Sequence, residues 1–376
     1  MNRDVTSMRA ASELARAGAI LTVDLGAIRA NYRLLAAQAP AASCAAVMKA
    51  DAYGLGMEQV APALAAEGCK LFFTAHVAEG MRLRQLVPDG CTIYVLHGPP
   101  AGTAPDFYQY DLVPVLNDPG QLQEWRASAR QLGRRLPAAI QADTGMSRMG
   151  FAPADLAALS LEPDWLSGLD LQLVMSHLAC ADEPSHPLNE GQRLRFEQLR
   201  ARFPGVPASL ANSSGVFLGG AYHYDLLRPG AALYGINPHP GKDNPLRQAV
   251  SLAARIVQVR TIGDGDIVGY GARYVAKDRR RIATIAIGYA DGWLRALTGQ
   301  SHAYVDGQAV PFAGTVSMDS ITLDVTGLPE TRVAPGQLVE LLCAQQPVDA
   351  VAAQAGTIGY EVLTRLGRRF HRNYLS

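Results

Sequence analysis

A short apolar run followed by a helical pattern, repeated about eight times between residues 20 and 233, is the feature that most restricts how this chain can fold. The runs are 45–49, 71–75, 92–96, 112–116, 138–142, 171–176, 209–211 and 225–227. Most are small and apolar, as buried parallel strands are, and helical stretches lie between most of them. One helix opens on Asp118-Pro119, an N-cap residue with proline at the first helical position. Another covers 190–203, with Leu194 and Leu199 among charged neighbours. About eight β/α periods in this length suit a (β/α)8 TIM-type barrel better than an open doubly wound sheet. In such a barrel the chemistry sits at the carboxyl ends of the strands. The candidates are therefore the polar residues just past each run: Lys49, Asp143 to Arg148, His177, Asn212-Ser213 and Arg228.

A Pro/Gly/Asn-rich segment at 237–245 breaks the alternation and reads as a linker. Beyond it come strand-like runs at 252–261, 282–287, 302–305, 320–325 and 337–342 without long helices between them. Turns fall at Gly263-Asp264-Gly265-Asp266 and Asp306-Gly307, with helical stretches at 348–354 and 360–369. The expected organisation is an N-terminal extension (1–19), an α/β barrel (20–240) and a C-terminal β-rich domain (241–376). Acidic and basic residues balance at 34 each, and the clusters Arg279-Arg280-Arg281 and 365–372 read as solvated faces, so nucleic acid is not an expected partner. Cys44, Cys69, Cys91, Cys180 and Cys343 are scattered without C-x-x-C spacing, which suggests neither a zinc site nor a disulfide frame and fits the cytoplasm. Arg3, Asp4, Arg9, Glu13 and Arg16 interrupt any secretory core, residues 1–19 read as an amphipathic helix, and no eighteen-residue apolar span suggests a membrane.

The stretch from Ala45 to Gly56 carries the most chemistry. Lys49 closes a buried strand, where desolvation favours a neutral, nucleophilic amine able to condense with an aldehyde cofactor. The same position also suits a lysine that reaches from a strand end into solvent. Gly54 and Gly56 permit a tight turn, and Tyr53 is placed to hold a phosphate or a proton. Arg228-Pro229-Gly230-Ala231 and Asn212-Ser213-Ser214-Gly215 offer backbone amides and a hydroxyl at late strand ends, where barrels bind phosphate; each taken alone is also an ordinary turn. His177 is either a satisfied core residue or a strand-end catalyst. Asp143 and Arg148, around a glycine turn, read alone as a structural ion pair.

Seven motifs together resemble the alanine racemase family. They are Lys-Ala-Asp-Ala-Tyr-Gly (49–54), Asp-Thr-Gly-Met-x-Arg (143–148), Ser-His-Leu-Ala (176–179), Ala-Asn-Ser (211–213), Arg-Pro-Gly-x-x-Leu-Tyr-Gly (228–235), Gly-Tyr-Ala-Asp-Gly (288–292) and Val-Ser-Met-Asp (316–319). The resemblance runs in order over nearly the whole chain. It implies a fold-type III pyridoxal 5′-phosphate enzyme interconverting L- and D-alanine, for peptidoglycan supply or alanine catabolism, as a homodimer with shared sites. It further implies that Lys49 holds the cofactor covalently. Tyr53, Ser213, the Gly230-Ala231 backbone and Tyr360 would then hold its phosphate, Asn212 would belong to the cofactor site, and Arg228 would face the ring nitrogen, with His177 bonded to Arg228 and to Tyr289. Tyr289 and Met318 would come from the partner subunit, and Arg148 and the Met318 amide would take the substrate carboxylate.

In that arrangement Lys49 and Tyr289 are suited to serve opposite faces of Cα as two bases. A tyrosine, near pKa ~10 when unperturbed, needs positive neighbours for this. One position departs from the family pattern. Gln141 stands where many members carry a lysine, often carbamylated, so Arg148 is expected to rely on the amide oxygen or on an anion such as chloride. The rival readings are a broader-specificity or serine racemase of the same fold, a decarboxylase of that fold, and a pyridoxal phosphate carrier without catalysis.

Overall fold

The eight apolar runs are strands, and they lie side by side in chain order. In the computed structural model, which describes residues 13–376, strands Ala46–Val47, Leu71–Thr74, Thr92–Val95, Leu112–Leu116, Leu136–Gln141, Leu169–Met175 and Ala208–Ser209 form one parallel sheet. The eighth, Leu226–Leu227, pairs in parallel with Ser43–Cys44 at the start of the first. It also joins the seventh, because Asp225 N donates to Ala208 O and Arg228 N to Ala211 O, both at 3.0 Å. The sheet thereby closes on itself, as the expected (β/α)8 barrel requires. The strands can be so short and apolar because the helices cover their outer faces; every residue of Leu112–Leu116 is buried.

The helices follow their own signals. Pro119–Leu132 starts where Asp118 Oδ1 accepts Gln121 N at 2.9 Å and ends at Gly133, whose φ of 62° is left-handed. It buries Leu122, Trp125 and Ala129, one stripe at helical spacing. The helix expected over 190–203 is Pro187–Arg200 instead. It begins earlier because Pro187 takes the first position and His186 Nδ1 accepts Leu188 N at 3.1 Å. Its buried face is Asn189, Gln192, Phe196 and Leu199, while Leu194 is half exposed.

The barrel belongs to one compact unit, Ala27–Arg247; residues 13–26 join Gln248–Ser376 in a second. Strand Ala19–Asp24, at the start of the region read as barrel, lies in the second unit's sheet. It pairs antiparallel with Val250–Ile262 and parallel with His371–Leu375. Its burial alternates, with Ala19, Leu21 and Val23 inward, which is the pattern of a sheet covered on one face rather than of a barrel strand. Of the helical extension read over 1–19, residues 1–12 lie outside the described residues and 13–16 are helical. Val250–Ile262 also pairs with Leu338–Leu342 and Arg280–Ile285, and the latter with Ile321–Asp324. Hairpin His302–Val305/Gln308–Pro311 turns at Asp306-Gly307, both at positive φ (48° and 77°). The helix expected over 360–369 is Gly359–Arg365, and the chain then returns to bond Gly367 N to Asp291 O at 2.9 Å. No helix among the described residues is long and apolar enough to cross a membrane.

Asp118→Ala removes the cap of Pro119–Leu132 without touching a strand. It should cost about 1 kcal/mol, a fall of about 2–4 °C in the thermal midpoint for a unit of this size. Scanning calorimetry beside the parent protein checks it.

Candidate active site

Past strand Ala46–Val47 the chain enters an unusual turn. Ala50, Asp51, Ala52 and Tyr53 all have positive φ, between 53° and 57°, so four consecutive non-glycine residues are left-handed. Each such residue costs about 1–2 kcal/mol, so the turn persists only where its surroundings hold it. Gly54 N bonds Ala50 O at 2.7 Å and Gly56 N bonds Asp51 O at 3.0 Å, both glycines themselves at positive φ. Asp51 Oδ1 accepts Met57 N at 2.9 Å and pairs with Arg82 at 3.1 Å. Glu79 accepts Ala50 N at 2.7 Å with one oxygen and, with the other, Ala75 N and His76 N at 2.8 and 3.1 Å. The turn is thereby tied to the end of the second barrel strand. Sequence reading gave the glycines but not the handedness, and it passed over Glu79. The available signal was the acid three residues after His76 at a helix start.

Lys49 opens this turn, with Nζ 5.9 Å from the centre of the Tyr53 ring. Burial lowers the pKa of its amine, the positive charge of Arg148 lowers it further, and Glu79 opposes both. The strand-end lysine is thus held in surroundings that favour its neutral amine.

The two phosphate-capable loops meet beside Tyr53. A Cβ at Gly230 would lie 2.3 Å from the Tyr53 hydroxyl, so only glycine allows this approach. Ser213 Oγ accepts Gly230 N at 2.9 Å and Ala232 N at 3.2 Å, which joins the loop after the seventh strand to the one after the eighth. Ala231 starts the single-turn helix Ala231–Tyr234, whose Tyr234 ring lies 4.9 Å from that of Tyr53. A phenol, a serine and closely approached backbone amides make a cradle suited to a phosphate. The Asn212 side chain is engaged within its own loop and the loop before it, accepting Gly215 N at 2.9 Å and donating to Leu178 O at 3.4 Å.

Arg228 is buried and its guanidinium donates to Ser209 Oγ, to Ser176 O at 2.6 Å and to Leu210 O at 3.5 Å. These acceptors are all neutral. Burial pushes its pKa down, to about 9, which still leaves it charged at neutral pH. The bond from His177 to Arg228 that the family resemblance implied is not among these, because the guanidinium is turned onto the two serines. His177 feels Arg228 through charge instead. Burial first, then Arg228, Arg148 and Lys49, hold its imidazole well below the usual range, so it is neutral. Gln192, missed in the sequence, fixes the His177 backbone by donating to His177 O at 2.8 Å and accepting Ala179 N at 2.9 Å.

Asp143 and Arg148 do not form the ion pair that the sequence suggested. Asp143 Oδ1 instead accepts Gly145 N, Met146 N and Ser147 N at 2.8–3.1 Å. Desolvation raises its pKa, but these bonds outweigh it and the carboxyl ends below its ordinary value. Arg148 stays exposed and lies in the field of Lys49, His97 and His177. Gln141 is buried at the end of its strand, and among the described residues no hydrogen bond joins its amide to Arg148.

The other three candidates stand on the second unit. Tyr289 and Met318 are 42% and 52% exposed, large side chains offered outward from two loops that are laced together. Tyr289 N donates to Ser317 O and Ala290 N to Met318 O, both at 3.0 Å. A Cβ at Gly288 would lie 2.2 Å from Ser317 O, so the loops can approach this closely only because residue 288 has no side chain. Tyr360 is partly exposed near the start of helix Gly359–Arg365.

A closed barrel with a depressed lysine, a phosphate cradle and a buried arginine at its strand ends, followed by a β-rich unit, defines a class of cofactor-dependent barrel protein. Comparison with known proteins gives the family. Residues 23–238 match the model of the alanine racemase N-terminal domain and residues 249–374 that of the C-terminal domain. A catabolic alanine racemase of Mesorhizobium japonicum is 56% identical, covering 96% of this chain and 94% of its own, and an alanine racemase of Rhodospirillum rubrum is 48% identical with 96% of both covered. The crystal structure of the Bartonella henselae alanine racemase, with covalently bound pyridoxal phosphate, superposes with a TM-score of 0.92 at 39% identity, covering 96% of this chain and all of that one. The chain belongs to the alanine racemase family, whose members are isomerases.

Because Arg148 is the second cause of the depressed Lys49 pKa, Arg148→Gln should move that pKa back up while burial still holds it below the ordinary value. At a pH below the shifted pKa, less of the amine is neutral and its modification slows. The pH dependence of Lys49 acylation in the cofactor-free protein, read by mass spectrometry, should move to higher pH.

Proposed function

We propose that this protein interconverts L- and D-alanine with pyridoxal 5′-phosphate carried on Lys49, by a two-base mechanism in a homodimer whose subunits share each active site. The observation that carries the reading is the depressed Lys49 amine beside the Tyr53–Ser213–Gly230–Ala231 cradle and the carboxylate-free Arg228. These residues fit the cofactor: an amine for its aldehyde, a phenol, a hydroxyl and backbone amides for its phosphate, and a fixed cation for its ring nitrogen. Tyr360 and the Asn212 loop are assigned to the phosphate side. When bound, the cofactor supplies an electron sink for the charge left on Cα by proton removal.

The chain's own residues do the rest. Lys49, released once substrate is bound, moves a proton on one face of Cα, and Tyr289 of the partner subunit moves one on the other. Arg228 remains protonated and cannot readily give up its proton, so a ring nitrogen set against it would gain none from the protein, which would limit side reactions. His177, held neutral, keeps that proton inventory unchanged near pH 7. Arg148 and the backbone amide of Met318 of the partner subunit take the substrate carboxylate and orient Cα between the two bases.

Loss of one base should separate exchange from racemisation. In Tyr289→Phe, D-alanine should still exchange its α-proton with heavy water through Lys49, while conversion falls by about 10²–10⁴, the usual worth of a positioned general base. L-Alanine should exchange little. Proton NMR time courses of both enantiomers check this, and equal loss from both would leave one base serving both faces. Mixing inactive Lys49→Ala and Tyr289→Phe protomers should restore activity if sites are shared.

Gln141 brings no negative charge to Arg148. Activity should therefore rise with chloride and stay flat with carbon dioxide, measured as initial rates in chloride-free buffer against added salt.

A further inference from the structure

We infer that Arg369 is a positioning residue for the reaction: it sets the separation of the two loops that carry Tyr289 and Met318. This rests on the two-base reading above and extends it to a residue in a basic tail, 365–372, that sequence reading treated as a solvated face. Arg369 bridges two carboxylates. Its Nε donates to Asp291 Oδ1 at 2.6 Å and its Nη1 to Asp319 Oδ1 at 2.7 Å. Asp291 lies two residues after Tyr289, and Asp319 directly follows Met318. One planar guanidinium with a fixed fork of donors therefore ties both loops, a geometry that a single ammonium does not reproduce.

The two arms of the bridge differ. The Asp291 side chain is 7% exposed, and its other oxygen accepts Gly288 N at 2.9 Å, closing the Gly-Tyr-Ala-Asp-Gly loop on itself. Its carbonyl accepts Gly367 N at 2.9 Å, and a Cβ at Gly292 would meet Arg365 O at 1.9 Å, so the segment carrying Arg369 is pressed against this loop. Asp319 is 60% exposed and is held by Arg369 alone among the ion pairs of the described residues. The Asp291 arm therefore builds the loop, and the Asp319 arm sets where the Met318 loop stands relative to it. Between them the Tyr289 phenol and the Met318 amide are presented at a fixed spacing, although both side chains are largely exposed.

The test uses the cofactor-loaded enzyme. Arg369→Gln should slow exchange of the L-alanine α-proton with heavy water by about 10- to 100-fold, the scale on which a small misplacement acts. D-Alanine exchange should slow less, by under about tenfold, because Lys49 stands on the barrel and loses only the carboxylate placement that the Met318 amide gives to both enantiomers, while L-alanine exchange also loses the placed phenol. The visible absorbance of bound cofactor and the circular dichroism should be unchanged. Added to Tyr289→Phe, the same substitution should cause little further loss of L-alanine exchange, as residues acting through one group are not additive. Arg369→Lys should recover only part of the rate. If Arg369→Gln does not accumulate folded, Asp319→Asn removes the outer arm alone and should show the same asymmetry in weaker form. Arg332→Gln, which breaks a surface ion pair with Asp306 instead, should show none. Equal slowing of both enantiomers, or no slowing, while Tyr289→Phe retains its asymmetry, overturns the positioning role and leaves the two-base reading standing. Loss of asymmetry in Tyr289→Phe itself overturns both.

Discussion

Positive charge gathered at the barrel mouth, with little to neutralise it, is the constraint on which the site depends. Arg148 acts on Lys49 through space, all three of Lys49, Arg148 and Arg228 act on His177, and the buried Arg228 guanidinium is satisfied by hydroxyl and carbonyl oxygens rather than by an acid. A buried cation without a counter-ion is expensive, so it is kept only where an incoming group completes it. Burial first, and this field behind it, depress the Lys49 amine and hold His177 neutral. The field also makes the mouth receptive to anions such as a phosphate or a carboxylate. None of these needs a dedicated residue, because each follows from which strand ends the barrel brings together.

That placement is held against strain. Four left-handed residues at about 1–2 kcal/mol each amount to about 4–8 kcal/mol, comparable with the whole margin that keeps a domain folded. Glu79 offsets part of it. One carboxylate oxygen accepts Ala50 N in the turn, a bond to a charged acceptor that contributes about 1.5–3 kcal/mol, while the other anchors the acid to Ala75 N and His76 N. The acid lies on a helix that follows the neighbouring strand, so a lysine on one strand is aimed by a carboxylate belonging to the next. The barrel's strand order is therefore part of the site's geometry.

What the sequence made legible was whatever is encoded locally. All eight barrel strands and the later β runs at 252–261, 282–287, 302–305, 320–325 and 337–342 announced themselves by apolar content and turn residues. Asp118-Pro119 marked a helix start by the same bond the structure contains. What could not be read depends on partners distant in sequence. Ala19–Asp24 looks like any short strand until His371–Leu375, some 350 residues later, is known to pair with it. Asp143 beside Arg148 suggests an ion pair, but the turn brings three backbone N–H donors onto the same carboxylate oxygen. The handedness of 50–53 was invisible because alanine, aspartate and tyrosine there have no local reason to adopt it.

The tail 365–372 shows the same limit from the other side, since a basic run has no meaning until what faces it is known. Arg369 faces carboxylates 78 and 50 positions away in the chain, and both lie in loops whose backbones are locked while their large side chains stand exposed. Exposure and rigidity usually oppose each other, because an exposed loop has few contacts to hold it. Here Gly288 lets one backbone rest on another, and Asp291 and Arg369 fasten the result from behind. A side chain presented in this way has little ordering left to do when it meets a ligand. The barrel arrives at the same condition for Lys49 by burial and strain, so the two units solve one problem with different physics.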